Sequence, residues 1–453
     1  METPAPDRLR RNSLASQSLY DRACAVMPGG NTRTTVYTPP HPVYAARGYG
    51  SRVVDVDGVE RIDFINNFTS LIHGHAHPTV VASARAQLEL GTCFGLPTGS
   101  EIVLAEAICS RVASVDEIRF TNSGTEAVMM AIKAARGFTR RPKIVKIEGA
   151  YHGSYDDVEV SQDSSPANWG DHARPASTPY SAGMPARVLD EVLVVPFNDA
   201  DVLTQIVTAN HQDLAAIIID PMPARAGLIP ASAEFLRAAR DLCDRFGIVL
   251  ISDEIISFRV GSGGPQENFG FSADLTTMGK IIGGGFPVGA VGGRRDIMAV
   301  FDPRGGKPKV PHGGTFNANP MTMVAGAATL ALLTPAAFRA LDVLGAALRK
   351  AAEEAFRTAG VEGQVIGQGS LLRLHVTGRR LRNYRDCYPT QTEKLRQAAL
   401  YQGLMDRGII IAPNGLIAIS TVTTDADIAA FASGLQATLQ RPEFSMDNRL
   451  VGA

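Results

Sequence analysis

Through the middle of the chain, short apolar runs alternate with longer stretches whose apolar positions recur every three or four residues. Residues 117–121, 143–147, 191–196, 215–219 and 248–252 have strand length and are rich in β-branched side chains. Residues 125–137 and 233–246 carry helical spacing between them. Apolar strand runs alternating with helices predict an α/β fold, a mostly parallel sheet covered on both faces. Upstream, 53–64 alternates around Asp57-Gly58 and predicts a hairpin. A short helix at 16–26 stops at Met27-Pro28-Gly29-Gly30, and residues 1–13 are polar and expected to be loose. Past Asn319 the pattern changes. Helices are expected at 320–333, 336–359, 393–407 and 426–439, a strand at 369–375 and a strand pair within 409–420. The expected division is a large domain at 66–325 and a smaller α+β C-terminal domain at 326–453. Residues 1–65 should add to the small domain and to dimer contacts.

Composition narrows the class. The 453 residues carry 44 basic and 45 acidic side chains. With no basic patch and no acidic tail, neither nucleic acid nor a disordered arm is expected. The five cysteines, Cys24, Cys93, Cys109, Cys243 and Cys387, are scattered. An odd count without C-x-x-C spacing argues against a disulfide framework or a zinc site and fits a reducing cytoplasm. No apolar run reaches the roughly 18–20 residues of a membrane helix, and the N-terminus lacks the apolar segment of a signal peptide. No internal repeat is evident.

Candidate chemistry concentrates in two places. Asp253 closes the apolar run ending ISD, and Lys280 follows in TTMGKIIGGGFP, a poor setting for a solvated lysine. A lysine amine that holds an aldehyde as a Schiff base, with a carboxylate that keeps a pyridine nitrogen protonated, suits pyridoxal 5'-phosphate. A Walker-type reading of Asp253-Glu254 fails: Ile281 stands where the phosphate loop needs Ser or Thr, and residue 274 is Asp rather than Gly. The second place is FTNSGTEAVMM, where Ser123 and Glu126 have capping-box spacing. Ser123, Gly124 and Thr125 at a helix start could bind a phosphate, or Ser123 could be an ordinary cap. Tyr151, at a strand end, could stack on a cofactor ring or simply pack. His73, His75 and His77 alternate in HGHAHP, but no further ligand accompanies them, so no metal is expected.

The segments MPGGNTR, HGHAHP, RFTNSGTEAVMMAIKAARGFTRRPKIVKIEGAYHG, SDEIISFRV, ADLTTMGKIIGGGFPVGAVGGR and HGGTFNANPMTMVAGAATL together resemble class III pyridoxal-phosphate aminotransferases of fold type I. The likeness runs over about residues 20–440 and is to the branch of glutamate-1-semialdehyde aminomutase and the β-phenylalanine aminotransferases. It implies that Lys280 carries the Schiff base and Asp253 pairs with the ring nitrogen. Ser123, Gly124 and Thr125 would hold the phosphate, and Tyr151 would stack on the ring. Thr315 resembles the threonine that reaches the partner subunit's phosphate, which implies a homodimer with shared sites. Arg33 resembles an arginine that binds the substrate carboxylate. The β-phenylalanine enzymes carry a second arginine where this chain has Asn414, and Arg225 is the alternative contact for the acceptor. Asp220 replaces a glutamate common before Pro221.

The lid after Tyr151-His152-Gly153 also departs from the aminomutases. SQDSSPANWGDHARPAS, with Trp169, stands in place of a glycine-, serine- and alanine-rich stretch. An aminomutase keeps its intermediate between two half-reactions, so a different lid favours a two-substrate transaminase. The expected substrates are a β-amino acid or related amine and a 2-oxo acid such as pyruvate or 2-oxoglutarate. The alternatives are the aminomutase, a racemase or epimerase on the same cofactor, and a non-catalytic α/β binding protein.

Overall fold

A computed structural model describes residues 13–445. The stretch expected to be loose therefore lies, except for Ser13, outside the described residues. A seven-stranded sheet organises the molecule, in the order Glu117–Thr121, Gly289–Gly293, Leu275–Gly279, Val249–Asp253, Leu214–Ile219, Lys143–Ile147, Val192–Val195. Every pairing from Leu275–Gly279 to Val192–Val195 is parallel. Gly289–Gly293 runs antiparallel to both of its neighbours.

That inserted strand, GAVGG, has almost no side chains to show a pattern, and its glycines are needed for close approach. A Cβ on Gly289 would sit 2.0 Å from the Ser123 carbonyl oxygen, and one on Gly293 2.2 Å from that of Asp274. All six residues of Leu214–Ile219 are buried, which is why the central strands read as continuous apolar runs. The helix Ala233–Phe246 begins where Ser232 accepts from the Phe235 N–H and ends at Gly247, φ 62°. Its apolar face covers one side of the sheet, together with Phe197 and Leu203. Helix Gly124–Thr139 covers the other side with Val128, Ala131 and Ile132.

The expected hairpin forms between Arg52–Asp55 and Glu60–Asp63. The strand pair expected within 409–420 is not a pair. Ile409–Ile410 joins Glu60–Asp63 in parallel, and Leu416–Ala418 joins Leu371–His375 antiparallel. The chain thus stitches the N-terminal hairpin to the C-terminal region through one sheet and completes a second, three-stranded sheet with Gln364–Gln368. Among the described residues, no single helix is long and apolar enough to cross a membrane.

Candidate active site

Parallel strands that end level place their last residues side by side. In register, Ser252 faces Ile219 and Asp253 faces Thr277, so Asp220, Asp253 and the start of the Lys280 turn meet at the carboxyl edge of the sheet. A cavity of about 250 Å³ opens there. Its lining includes Ser123, Gly124, Thr125, Tyr151, Asp253 and Lys280, drawn from four separate stretches of the chain, together with His152, Gly153 and Asp220.

Asp253 is the fixed point. It is 3 % exposed. One carboxylate oxygen is 2.6 Å from His152 Nδ1, and the other accepts from the Thr277 hydroxyl at 3.0 Å and the Ile255 N–H at 3.2 Å. His152 is buried, and its Nε2 has no protein partner among the described residues. Burial pushes the His152 imidazole below its usual range, and the hydrogen bond it gives to the Asp253 carboxylate opposes the shift. Lys280 adopts φ 51°, in the left-handed region, directly after five buried strand residues. Burial pushes its amine below the ordinary lysine value, against the pull of the Asp253 and Asp220 carboxylates. Burial and then the neighbouring Asp253 raise the Asp220 carboxyl well above the usual carboxylate range.

Ser123 caps helix Gly124–Thr139 by accepting from the Glu126 N–H at 3.2 Å. The reciprocal half of the expected capping box is shifted by one residue, because the Glu126 carboxylate takes the Asn122 N–H at 2.6 Å. The first N–H groups of a helix have no intrahelical acceptor, and such a helix start can bind an anion. The Thr125 hydroxyl is engaged in accepting from the Ser154 N–H at 3.1 Å. Tyr151 is 40 % exposed at the rim.

The remaining predicted residues lie outside this cavity. Thr315 is exposed in a separate shallow pocket with Cys93 and Phe94. Arg33 donates to Asn67 Oδ1 at 2.9 Å. Arg225 pairs with Asp163 at 3.3 Å and lies over the Tyr180 ring. Asn414 accepts the Leu416 N–H and lines a larger pocket of the C-terminal region with Arg373 and His375. No residue of the 161–177 segment lines the cavity. Arg385 makes two bonds to Glu148, lies 4.9 Å from the Trp169 ring and donates to the Trp169 carbonyl, while the Tyr384 hydroxyl donates to the Ser164 carbonyl. His73 and His75 turn to different partners, Thr421 with the Thr329 carbonyl and Asp63, respectively. Among the described residues, no group of three or more His, Cys, Asp or Glu side chains could hold a metal ion.

Sequence reasoning did not single out His152, Asp220 or Lys146 as functional. His152 stands in the quoted Tyr151-His152-Gly153 motif, one residue beyond the aromatic. Lys146 is wholly buried, gives its amine to the carbonyls of Ile147 and Ala150, and is pushed down to about 7 by burial. Only its place on an inner strand marks it.

An amine and a buried carboxylate beside a helix start, with an aromatic rim and an unpartnered histidine nitrogen, fit a phosphate-bearing aldehyde cofactor with a basic ring nitrogen. The fold and the site thus define an enzyme of amine chemistry. The family model for class III aminotransferases matches residues 35–439, and the chain belongs to that family. Its cofactor is pyridoxal 5'-phosphate, which a solved transaminase relative holds. An omega-transaminase from Sphaerobacter thermophilus is 51% identical, with 95% of this chain and 98% of that one covered and a TM-score of 0.93. A β-phenylalanine aminotransferase from Variovorax paradoxus is 35% identical over 96% and 95% of the two chains, with a TM-score of 0.85. A glutamate-1-semialdehyde 2,1-aminomutase from Methanothermobacter thermautotrophicus is 40% identical, covering 88% of this chain and 92% of its own.

Proposed function

We propose that this enzyme is a transaminase that moves an amino group from a β-amino acid or related amine to a 2-oxo acid, pyruvate or 2-oxoglutarate. Arg33 carries the reading. Its guanidinium is exposed, and among the described residues its only hydrogen bond is to a neutral amide, Asn67, so its charge is free to meet a substrate carboxylate. The similarity to an omega-transaminase and a β-phenylalanine aminotransferase along nearly the whole chain supports it.

Bound pyridoxal phosphate supplies an electron sink that makes the proton on the substrate carbon labile. The protein's own groups do the rest. Lys280, its amine made less basic by burial, would be the base that shifts the proton between the amine-bearing carbon and the cofactor, in opposite directions in the two half-reactions. Asp253, held by His152 and Thr277, keeps the ring nitrogen protonated. The Ser123–Thr125 helix start binds the phosphate, and Tyr151 covers the ring. Thr315 completes the phosphate site of a second subunit, and Arg225 and Asn414 bound the acceptor side. The working unit is a homodimer in a reducing cytoplasm. Its subunit divides at 1–65, 66–325 and 326–453, a division that the pairing of Glu60–Asp63 with Ile409–Ile410 supports.

A second reading, the 2,1-aminomutase, is favoured by the name of the curated relative. Two assays separate them. A transaminase should convert 3-amino-3-phenylpropanoate only when pyruvate or 2-oxoglutarate is added. Efficient isomerisation of glutamate-1-semialdehyde without acceptor, with no turnover of β-amino acids, would overturn the first reading.

A further inference from the structure

Four consecutive residues that are not glycine, Asn66, Asn67, Phe68 and Thr69, have φ of 49°, 49°, 52° and 80°. L-residues avoid this left-handed region and rarely occupy it in succession. Such strain persists only where the surroundings impose it, and it concentrates at functional sites. Here the restraints are explicit. Asp63 Oδ1 accepts the N–H groups of Ile65 and Asn66 at 2.8 and 2.9 Å, and Asn66 Nδ2 donates to the Ala418 carbonyl at 2.7 Å. At the far end Arg259 donates to the Thr69 carbonyl at 2.9 Å, while its other nitrogens hold Ser370 and the Ile419 carbonyl. Arg259 is 1 % exposed, and its hydrogen bonds among the described residues go to two backbone carbonyls and the Ser370 hydroxyl.

The turn reaches toward the active site through Phe68. Phe68 packs with a cluster that includes Met222, Ala224 and Ile256, and Ile256 lines the Lys280 cavity. The preceding side chain, Asn67, accepts from the Arg33 guanidinium at 2.9 Å. We propose that Asn67 is a positioning residue for substrate carboxylate recognition: the left-handed turn 66–69 aims its amide oxygen at Arg33, and Arg259 holds the turn in that conformation. An exposed arginine otherwise samples many rotamers, and a neutral acceptor restrains it without cancelling its charge.

This inference rests on the reading of Arg33 as the carboxylate contact, and the test separates the two. Asn67→Ala, Asn67→Gly and Arg33→Ala are assayed with 3-amino-3-phenylpropanoate and with 1-phenylethylamine, which lacks the carboxylate. All three should raise KM for the amino acid roughly tenfold more than for the amine. Asn67→Ala should add nothing further in an Arg33→Ala background. Glycine adopts φ 49° freely, so Asn67→Gly should keep or raise Tm, which separates lost positioning from lost folding. If Arg33→Ala shifts the KM ratio and both Asn67 variants leave it unchanged, the positioning role is overturned and the Arg33 reading stands. If Arg33→Ala also leaves the ratio unchanged, both are overturned.

Discussion

Lys146 is wholly buried near the end of one inner strand and Lys280 is half-buried just after another, and both amines are pushed down by desolvation. Their surroundings separate them. Lys146 spends its hydrogens on two backbone carbonyls, whereas Lys280 faces a cavity shared with Asp253 and Asp220. A depressed amine value alone would not identify the reactive one; access to a cavity does. Lys280→Ala should therefore lower turnover by roughly 10³-fold or more, the range expected when a positioned proton carrier is lost. Thermal melting should stay near the parent value, because the amine removed is partly desolvated in the folded protein. Retained turnover in steady-state assays would remove Lys280 from the chemistry. Lys280 was legible in the sequence because glycines and apolar residues flank it. Lys146 was not, since a lysine in KIVKI reads as the solvent side of a strand until the neighbouring strands are known to cover both faces.

At the scale of elements, local chemistry and sheet order were legible to different degrees. The strands 117–121 and 143–147 and the helix 233–246 fall at the expected bounds, because their periodicity and caps are local signals. The strand Gly289–Gly293 was not anticipated, since four of its positions are glycine or alanine and its existence depends on packing against Ser123 and Asp274. The two strands near 409–418 were recognised but mispaired, because partner choice is set by distant segments. The cap at Ser123 belongs to the local class and yields a direct test. Ser123→Ala removes the acceptor for the Glu126 N–H and should cost about 1 kcal/mol, read as a drop of about one degree in Tm. If this helix start also binds phosphate, the variant should hold pyridoxal phosphate more weakly in equilibrium dialysis. A Tm drop with unchanged cofactor affinity would leave Ser123 a cap and nothing more.

Across the whole molecule, buried titratable groups tie distant segments together and give the fold its pH dependence. His375 Nε2 bonds the Gly227 carbonyl at 2.9 Å, joining the three-stranded sheet to the loop after Asp220, and burial pushes this imidazole down to about 3. Its value is depressed in the folded state, so between the unfolded value near 6.5 and about 3 the unfolded chain binds the proton better. Its stability contribution is complete above pH 6.5 and is lost as pH falls, by about 2 kcal/mol at pH 5. Glu254 has the opposite sign. Burial raises it to about 8, so its contribution is complete below 4.5 and declines as pH rises toward 8, by about 3 kcal/mol at pH 7. The two slopes oppose each other between pH 4.5 and 6.5, so the parent protein's own profile cannot separate them, and differences between variants are needed. His375→Gln keeps a donor but cannot be protonated, and it should gain about 2 kcal/mol on the parent in urea unfolding as pH moves from 7 to 5. Glu254→Gln keeps an acceptor for Ser252 and Gln266 and should gain on the parent as pH moves from 5 to 7. Differences that stay flat across these windows would mean that neither side chain titrates in the folded protein as its burial requires.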